Sequence, residues 1–581
     1  MIVPMKRVFL LCVADGADRT LEALRDLGAV HLELTTDAGT AGVAAKENLE
    51  RAERAMRIAL KAAKEGGSAG ARSSQMGVDE ILKLDERREG LKGKAEAFRA
   101  AIRRYEPFGD FDPAMVARLA SAGVRLQLHE DGSFAFLYGD DESAERPGKH
   151  LVPIPEERLS VTRKRLADAE TEIAALTAQI AAVDVDAMSK AVPGLKDAVA
   201  FAMAKDEMAA SRFADGKVPA EDAPQIAFIR GWIPVDREVD LETAAKGNGW
   251  GVALRDPNPD ETPPTLIRPP KLFRPVKALF EGLGIAPAYT EADVSVPFMC
   301  YFSLFFAMLV GDGGYGAIIL ALTLWGWRKY RAGKKPAPLM KSWLILLTVF
   351  SSATVVWGLL SNTWFGAGLP FAAEWPTVKW LGDPTYNNMM LLCFTIGVSH
   401  LMVARIWTGL CMLNDRTCLS QFGWAGIVLF MYLVTNSIVG IFSGIPTWAY
   451  WMFGVSLVLV FGFTLKGNEL KSRGIELGML PLNIMSALGD IISYVRLFAV
   501  GLASVKVAQN FNDMALGLDL PLWLKAVPMV LILLVGHGLN FAMAGLSILV
   551  HAVRLNTLEF SNHKGISWAG YAFTPFRRQQ A

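Results

Sequence analysis

The sequence predicts two structural classes in one chain: an α+β soluble half built on long antiparallel coiled-coil hairpins, followed by an all-α polytopic membrane half of about eight helices. Three observations carry this. First, residues 1–300 hold 40 Lys/Arg and 48 Asp/Glu, whereas residues 301–581 hold 19 and 10, so the formal net charge is −8 in the first part and +9 in the second. Second, the latter part contains apolar segments near 294–310, 314–328, 342–365, 387–412, 421–443, 447–465, 482–510 and 523–565, several long enough to cross a bilayer. Third, Leu159, Thr162, Leu166, Ala169, Ile173, Leu176, Ile180 and Val183 step 3-4-3-4 with charges between them, the narrow seam of a coiled coil.

In the soluble half, Val8–Val13 reads as a strand, Ala17–Leu27 as a helix and Val30–Leu34 as a second strand. The apolar core of the chain start, Val8–Ala14, is at the bottom of the usual signal-peptide length and ends at Asp15 without a clean cleavage site, so it is read as a first β-strand. Two helical stretches follow, the second with Leu84, Leu91, Ala95, Phe98, Ile102 and Tyr105 spaced by 3, 4 or 7. A fourth helical stretch, Leu195–Phe213, is expected to fold back on the coiled-coil stretch. Strands are expected at Val124–His129, Phe134–Tyr138, Ile226–Ile229 and Gly251–Leu254. Residues 255–275 are Pro-rich and read as a linker, giving an N-terminal arm at 1–275 and a membrane domain at 276–581.

The composition excludes several functions. A nucleic-acid binder wants a basic soluble half, and this one is acidic. Cys12, Cys300, Cys393, Cys411 and Cys418 form no CxxC pair, and most lie in or beside apolar segments, which argues against a disulfide framework or a zinc site. No phosphate-binding GxxxxGK[ST] loop occurs, so no ATP site of that type and no cofactor is expected. Gly311, Gly313 and Gly316 match GxGxxG, but the flanks are apolar helices and the next acidic residue after Asp312 is Glu374, so the match reads as a sharp turn between packed helices.

Charge sets the topology. Arg328–Lys341 carries six positive charges and no negative one, and Lys466–Arg473 and His563–Arg578 are also basic. If 294–328 is a hairpin, all three regions fall on the same side as the N-terminal arm. The positive-inside rule then gives eight crossings with both termini cytoplasmic.

An ionisable residue inside a spanning helix costs about 2.5 kcal/mol or more, so its default reading is functional. Arg496 lies 14 residues from either end of Leu482–Asn510. Arg554 lies in Trp523–Gly565, a run too long for a perpendicular crossing, which must tilt or protrude. At 100° per residue His551, Ser547 and Asn540 share the Arg554 face as one polar stripe, while Glu559 falls about 140° round. Ser493 shares the face of Arg496, and Asp490 lies toward the cytoplasm. Lys506 reads as a snorkelling side chain, and His400 and Arg405 as packing or interfacial residues.

The pieces Gly231–Pro234 (GWIP), Pro263–Pro270 (PPTLIRPP), Tyr289–Phe298 (YTEADVSVPF), Phe305–Gly316 (FFAMLVGDGGYG), Ser493–Ala503 (SYVRLFAVGLA), Gly536–Asn540 (GHGLN), His551–Phe560 (HAVRLNTLEF) and Tyr571–Phe576 (YAFTPF) resemble, in order and along the whole chain, the a/I subunit family of rotary V-type ATPases, closest to its prokaryotic V/A-type form. The resemblance implies a membrane stator subunit whose arm meets helical peripheral-stalk subunits, with the central-stalk ring adaptor as a further partner. It also implies that the last two helices are tilted and face a ring of proteolipid subunits. Arg496 and Arg554 would be the essential arginines between two half-channels for H⁺ or Na⁺, with His551 and Glu559 at channel positions. Two positions depart from eukaryotic members: Ser504 stands where a histidine follows the first arginine, and Ala544 where a glutamate precedes the second. Two other readings stay open on residues alone: a secondary transporter with a soluble regulatory arm, and a structural tether.

Overall fold

The computed structural model describes residues 1–34, 39–65, 76–138, 151–211, 226–333, 338–464, 478–518 and 521–578. Lys466–Arg473, Ala581, the end of the Leu195–Phe213 stretch and the middle of the 328–341 loop lie outside the described residues. The fold divides into two units, one of residues 6–255 with 575–581 and one of residues 1–5 with 256–574.

In the first unit, strands β1 (Met5–Val13), β2 (His31–Leu32), β6 (Ile226–Pro234) and β7 (Gly251–Arg255) form a sheet in the order β2-β6-β1-β7. β1 and β7 run antiparallel with Phe9 opposite Ala253. Val8, Leu10 and Cys12 alternate inward along β1, and α1 (Ala17–Leu27) covers them with Leu21 and Leu24. Gly28, in the left-handed conformation, ends α1. The second strand is shorter than its sequence suggested, spanning His31–Leu32 opposite Trp232 and Gly231, and β6 runs on to Pro234. Phe576 closes this core from far along the chain: its ring stacks on Phe201 and its N–H donates to Val30 O at 2.8 Å.

The long helices pair out of sequence. α2 (Thr40–Glu65) packs on α6 (Val185–Ala210), and α3 (Val78–Tyr105) on α5 (Leu159–Ala181). The ion pairs Arg163–Glu106 and Arg99–Glu170 show that α3 and α5 run antiparallel. Leu159, Ala169, Leu176, Ile180 and Val183 of the 3-4 seam are buried. α6 lies on α2 instead of folding back on α5; a seam specifies that a helix has a partner, not which one. Between α3 and α5, α4 (Pro113–Ser121) backs a small antiparallel sheet, β4 (Phe134–Tyr138)-β3 (Val124–His129)-β5 (Leu151–Val152). Asp112 caps α4 by accepting from Ala114 N–H and also pairs with Arg158. The Arg158 hydrogen bond, then the backbone one, hold its carboxyl below the ordinary carboxylate range.

The second unit is helical: α8 (Val276–Leu283), α9 (Ser295–Val310), α10 (Gly313–Ala332), α11 (Pro338–Ser361), α12 (Pro376–Leu381), α13 (Asn387–Cys411), α14 (Cys418–Ile438), α15 (Thr447–Phe463), α16 (Leu480–Ile492), α17 (Val495–Leu516) and α18 (Leu522–Ser547). Among the described residues five runs are long and apolar enough to cross a membrane: Met340–Ser361, Asn387–Cys411, Cys418–Ile438, the 37 residues Leu480–Leu516 and the 42 residues Trp523–Lys564. α9 and α15 are shorter apolar helices.

The glycine-rich hexapeptide is a break between two helices. Gly311 takes a left-handed φ of 69° and ends α9, and Asp312 starts α10. Asp312 is fully buried and accepts three backbone N–H groups: Gly314 at 2.7 Å, Phe365 at 2.8 Å and Gly366 at 2.8 Å. It therefore caps α10 and pins the loop that follows α11 in one step. Gly313 and Gly358 bring α10 and α11 together so closely that a Cβ on Gly358 would lie 2.2 Å from Gly313 Cα.

Candidate functional site

The site forms where α16–α17 meets the end of the last helical run. α16 and α17 are separated by a turn at Ser493–Tyr494, where the Ser493 carbonyl accepts the Arg496 backbone N–H at 3.3 Å. Arg496 Nε donates to that carbonyl at 2.9 Å, and Arg496 Nη2 donates to Glu559 Oε1 at 2.7 Å. The same Oε1 lies 3.4 Å from Arg554 Nε. The Glu559 side chain is 4% exposed, Arg496 23% and Arg554 53%, so one buried carboxylate bridges two guanidiniums of graded exposure. Among the described residues Glu559 Oε2 has no hydrogen-bond partner.

This meeting corrects the angular expectation for Glu559. After Ser547 the helix carries two π-helical turns, Ile548–Ala552 and Leu555–Glu559. An i→i+5 ring brings residues five apart into register, so Glu559 returns to the Arg554 side instead of falling 140° away. The same turns break the polar stripe. Asn540 is fully buried in packing and Ser547 Oγ bonds back to Met543 O, while Arg554 emerges into the open. The Nδ1 of His551, three residues before Arg554, is buried without a hydrogen-bond partner among the described residues.

A second polar chain adjoins the first. Asp490 Oδ2 is 3.0 Å from His563 Nε2, Arg405 Nε donates to His563 Nδ1 at 3.1 Å, and Arg405 Nη1 donates to Gln421 Oε1 at 3.2 Å. Because Nδ1 accepts from Arg405, His563 carries its proton on Nε2 and donates to Asp490. Two residues before Arg496, Tyr494 OH and His400 Nδ1 share a 2.8 Å hydrogen bond.

Asn540 anchors a third. Its Nδ2 donates to Ser504 O at 2.8 Å and to Tyr315 OH at 3.0 Å, and its Oδ1 accepts from Ser504 Oγ at 3.1 Å. Tyr315 OH is 2.7 Å from His537 Nδ1, and His537 Nε2 is 3.0 Å from Asn512 Oδ1. The run ties α10, α17 and α18 together and leads from a fully buried amide to the half-buried Asn512 contact. The Ser493 hydroxyl donates to its own helix at Gly489 O, so Ser493 enters the site through its carbonyl.

No family model matches the chain. It is 28% identical over 633 aligned positions to V-type ATP synthase subunit I 1 of Treponema pallidum, covering 100% of both chains. It is 30% identical to V-type ATP synthase subunit I of Borreliella burgdorferi over 62% of this chain and 61% of that one. It is also 28% identical to A-type ATP synthase subunit I of Methanocaldococcus jannaschii over 60% of this chain and 55% of that one. The chain is a homologue of V-type and A-type ATP synthase subunit I. As a subunit I homologue with five helical runs, among the described residues, long and apolar enough to cross a bilayer, it is a multi-pass membrane protein.

Sequence reasoning about this subunit I homologue singled out Arg496, Arg554 and Glu559, and the fold brings them together; Asp490, Asn540 and Ser547 fall outside that cluster. It passed over Tyr315, His537 and His563, and gave Arg405 a packing role. The signal for His537 was present, a histidine in a long apolar helix flanked by Gly536 and Gly538.

Proposed function

We propose that the chain is the stationary membrane subunit of a rotary V/A-type ATPase, coupling H⁺ or Na⁺ movement to ATP hydrolysis or synthesis at other subunits. Residues 1–275 form a cytoplasmic arm whose antiparallel coiled-coil helices hold peripheral-stalk helices and approach the central-stalk ring adaptor. Residues 276–581 form the ion-translocating domain, which crosses the membrane eight times with both termini cytoplasmic. The final two runs, tilted because 42 residues of helix reach about 63 Å, face a ring of proteolipid subunits.

The observation that carries this reading is the Arg496–Glu559–Arg554 cluster beside an uncovered apolar helix. Only 17% of the most apolar stretch of Trp523–Lys564 is buried within the fold, against 33–56% for the other four runs. Leu531, Leu534, Leu539, Leu546 and Leu549 lie exposed along it. A moving surface of apolar helices fits such a face. A ring carboxylate sliding over it must be neutral or paired, since an unpaired charge in low dielectric is too costly. An arginine keeps its charge at working pH, so it discharges an arriving carboxylate and blocks a direct leak.

Ions reach the cluster by two offset paths. Asp490, with Ser493, Glu559 and His551, lines the cytoplasmic one; Asn540 and Ser547 line the far one. Arg496→Ala in the reconstituted complex is expected to abolish ATP-driven gradient formation while the complex still assembles. Substantial pumping by that variant would overturn the reading.

A further inference from the structure

Two guanidiniums and one carboxylate make up the cluster, a surplus of one positive charge. We propose that Glu559 sets this surplus, so that the cluster admits one ring carboxylate at a time and lets it go. The inference rests on the proposed ring-facing role.

The geometry carries it. Glu559 is buried and its Oε1 contacts both Arg496 and Arg554, so its charge is shared by the pair rather than spent on one partner. Its Oε2 has no partner among the described residues, so no other described group neutralises it. Asp490, the nearby carboxylate on the neighbouring helix, is engaged by His563 instead. The π turn Leu555–Glu559 is what delivers the carboxylate to this place, and such turns are rare outside functional sites.

The count has consequences of opposite sign. With Glu559 in place the cluster is +1, and one ring carboxylate brings it to zero. With a neutral residue at 559 the cluster is +2; an arriving carboxylate is then held by uncompensated positive charge and leaves slowly. With Arg554 neutralised the cluster is zero, and a ring carboxylate finds no net attraction. An ion pair that merely braces the two helices predicts the same defect from either loss.

The test uses the whole complex in proteoliposomes, with gradient formation and ATP hydrolysis measured per assembled complex for Arg496→Ala, Glu559→Gln, Arg554→Gln and the Glu559→Gln/Arg554→Gln double variant. Glu559→Gln is expected to slow hydrolysis and pumping together by about tenfold or more, because the ring dwells. Arg554→Gln is expected to lower pumping as much while hydrolysis continues. The double variant restores +1 and is expected to pump within about threefold of the parent. A double variant no better than the worse single one, with Arg496→Ala inactive, overturns the charge count and leaves the ring-facing role standing. Pumping by Arg496→Ala overturns both.

Discussion

Arg496 Nη2 lies 2.7 Å from Glu559 Oε1, joining two helices 63 residues apart in the chain. An arginine that looks unpaired on its own apolar helix is therefore paired in the fold. Its removal leaves Glu559 with Arg554 at 3.4 Å as remaining partner, which spares the protein a wholly uncompensated buried charge.

Arg496→Lys is expected to assemble and to pump poorly. An ammonium can reach Glu559, but it has no Nε–H to bond the Ser493 carbonyl and its charge yields more readily to burial. ATP-driven gradient formation at matched complex content checks this; a rate near the parent's would show that charge alone suffices.

Asp312→Ala is expected to destabilise the membrane unit by about 3 kcal/mol or more, because the N–H groups of Gly314, Phe365 and Gly366 lose their acceptor. Asp312→Asn keeps one acceptor oxygen and should fall between. Thermal unfolding of the purified protein in detergent reads the order Asp, Asn, Ala.

Gly358→Ala is expected to separate α10 from α11, since the added Cβ meets backbone at 2.2 Å and neither helix offers a flexible side chain there to yield. A lower melting temperature and less assembled complex are the readouts, and Gly489→Ala, with open space around it, serves as the neutral control.

Acid should loosen the α4 cap. The Asp112 carboxyl titrates below its ordinary value when Arg158 and Ala114 N–H hold it. A depressed folded value stabilises above the unfolded value, about 3.9, and that contribution is lost as pH falls through the folded value. Hydrogen-exchange protection of Pro113–Ser121 should therefore drop as pH falls below about 4, and Asp112→Asn should remove that dependence.

Single cysteines at Ala332 and Ala581, in a background without native cysteines, should react with impermeant reagent only from the cytoplasmic side. Labelling of Ala332 from outside would end the eight-crossing topology.

Local signals carried most of the fold. The hydrophobic period marked α3 and α5, the Gly311–Gly316 pattern marked the helix break, and the length of the last run marked it as unusual. Partner choice was not legible, because a seam such as Leu159–Val183 fits any complementary helix; α2 and α6 meet across about 120 residues of intervening chain. The site shows the same limit. Rarity of charge in apolar helices singled out Arg496 and Arg554, and the resemblance added Glu559, but their meeting depends on the turn at Ser493–Tyr494 and on two π turns that no residue pattern announces. Asn540 illustrates the converse: an α-helical wheel placed it with Arg554, and packing against Ser504 and Tyr315 claimed it.

Phe576 fills the core of the unit that begins at Lys6. A ribosome making this chain releases β1, α1 and β6 long before Phe576 exists, and every membrane helix lies between. The first-made sheet must therefore wait, with the Phe201 ring and the Val30 carbonyl uncovered, until the membrane helices have been synthesised. The core of that unit is thus closed only after the residues between Val30 and Phe576 have been made, so an early element of the fold is completed by a late one.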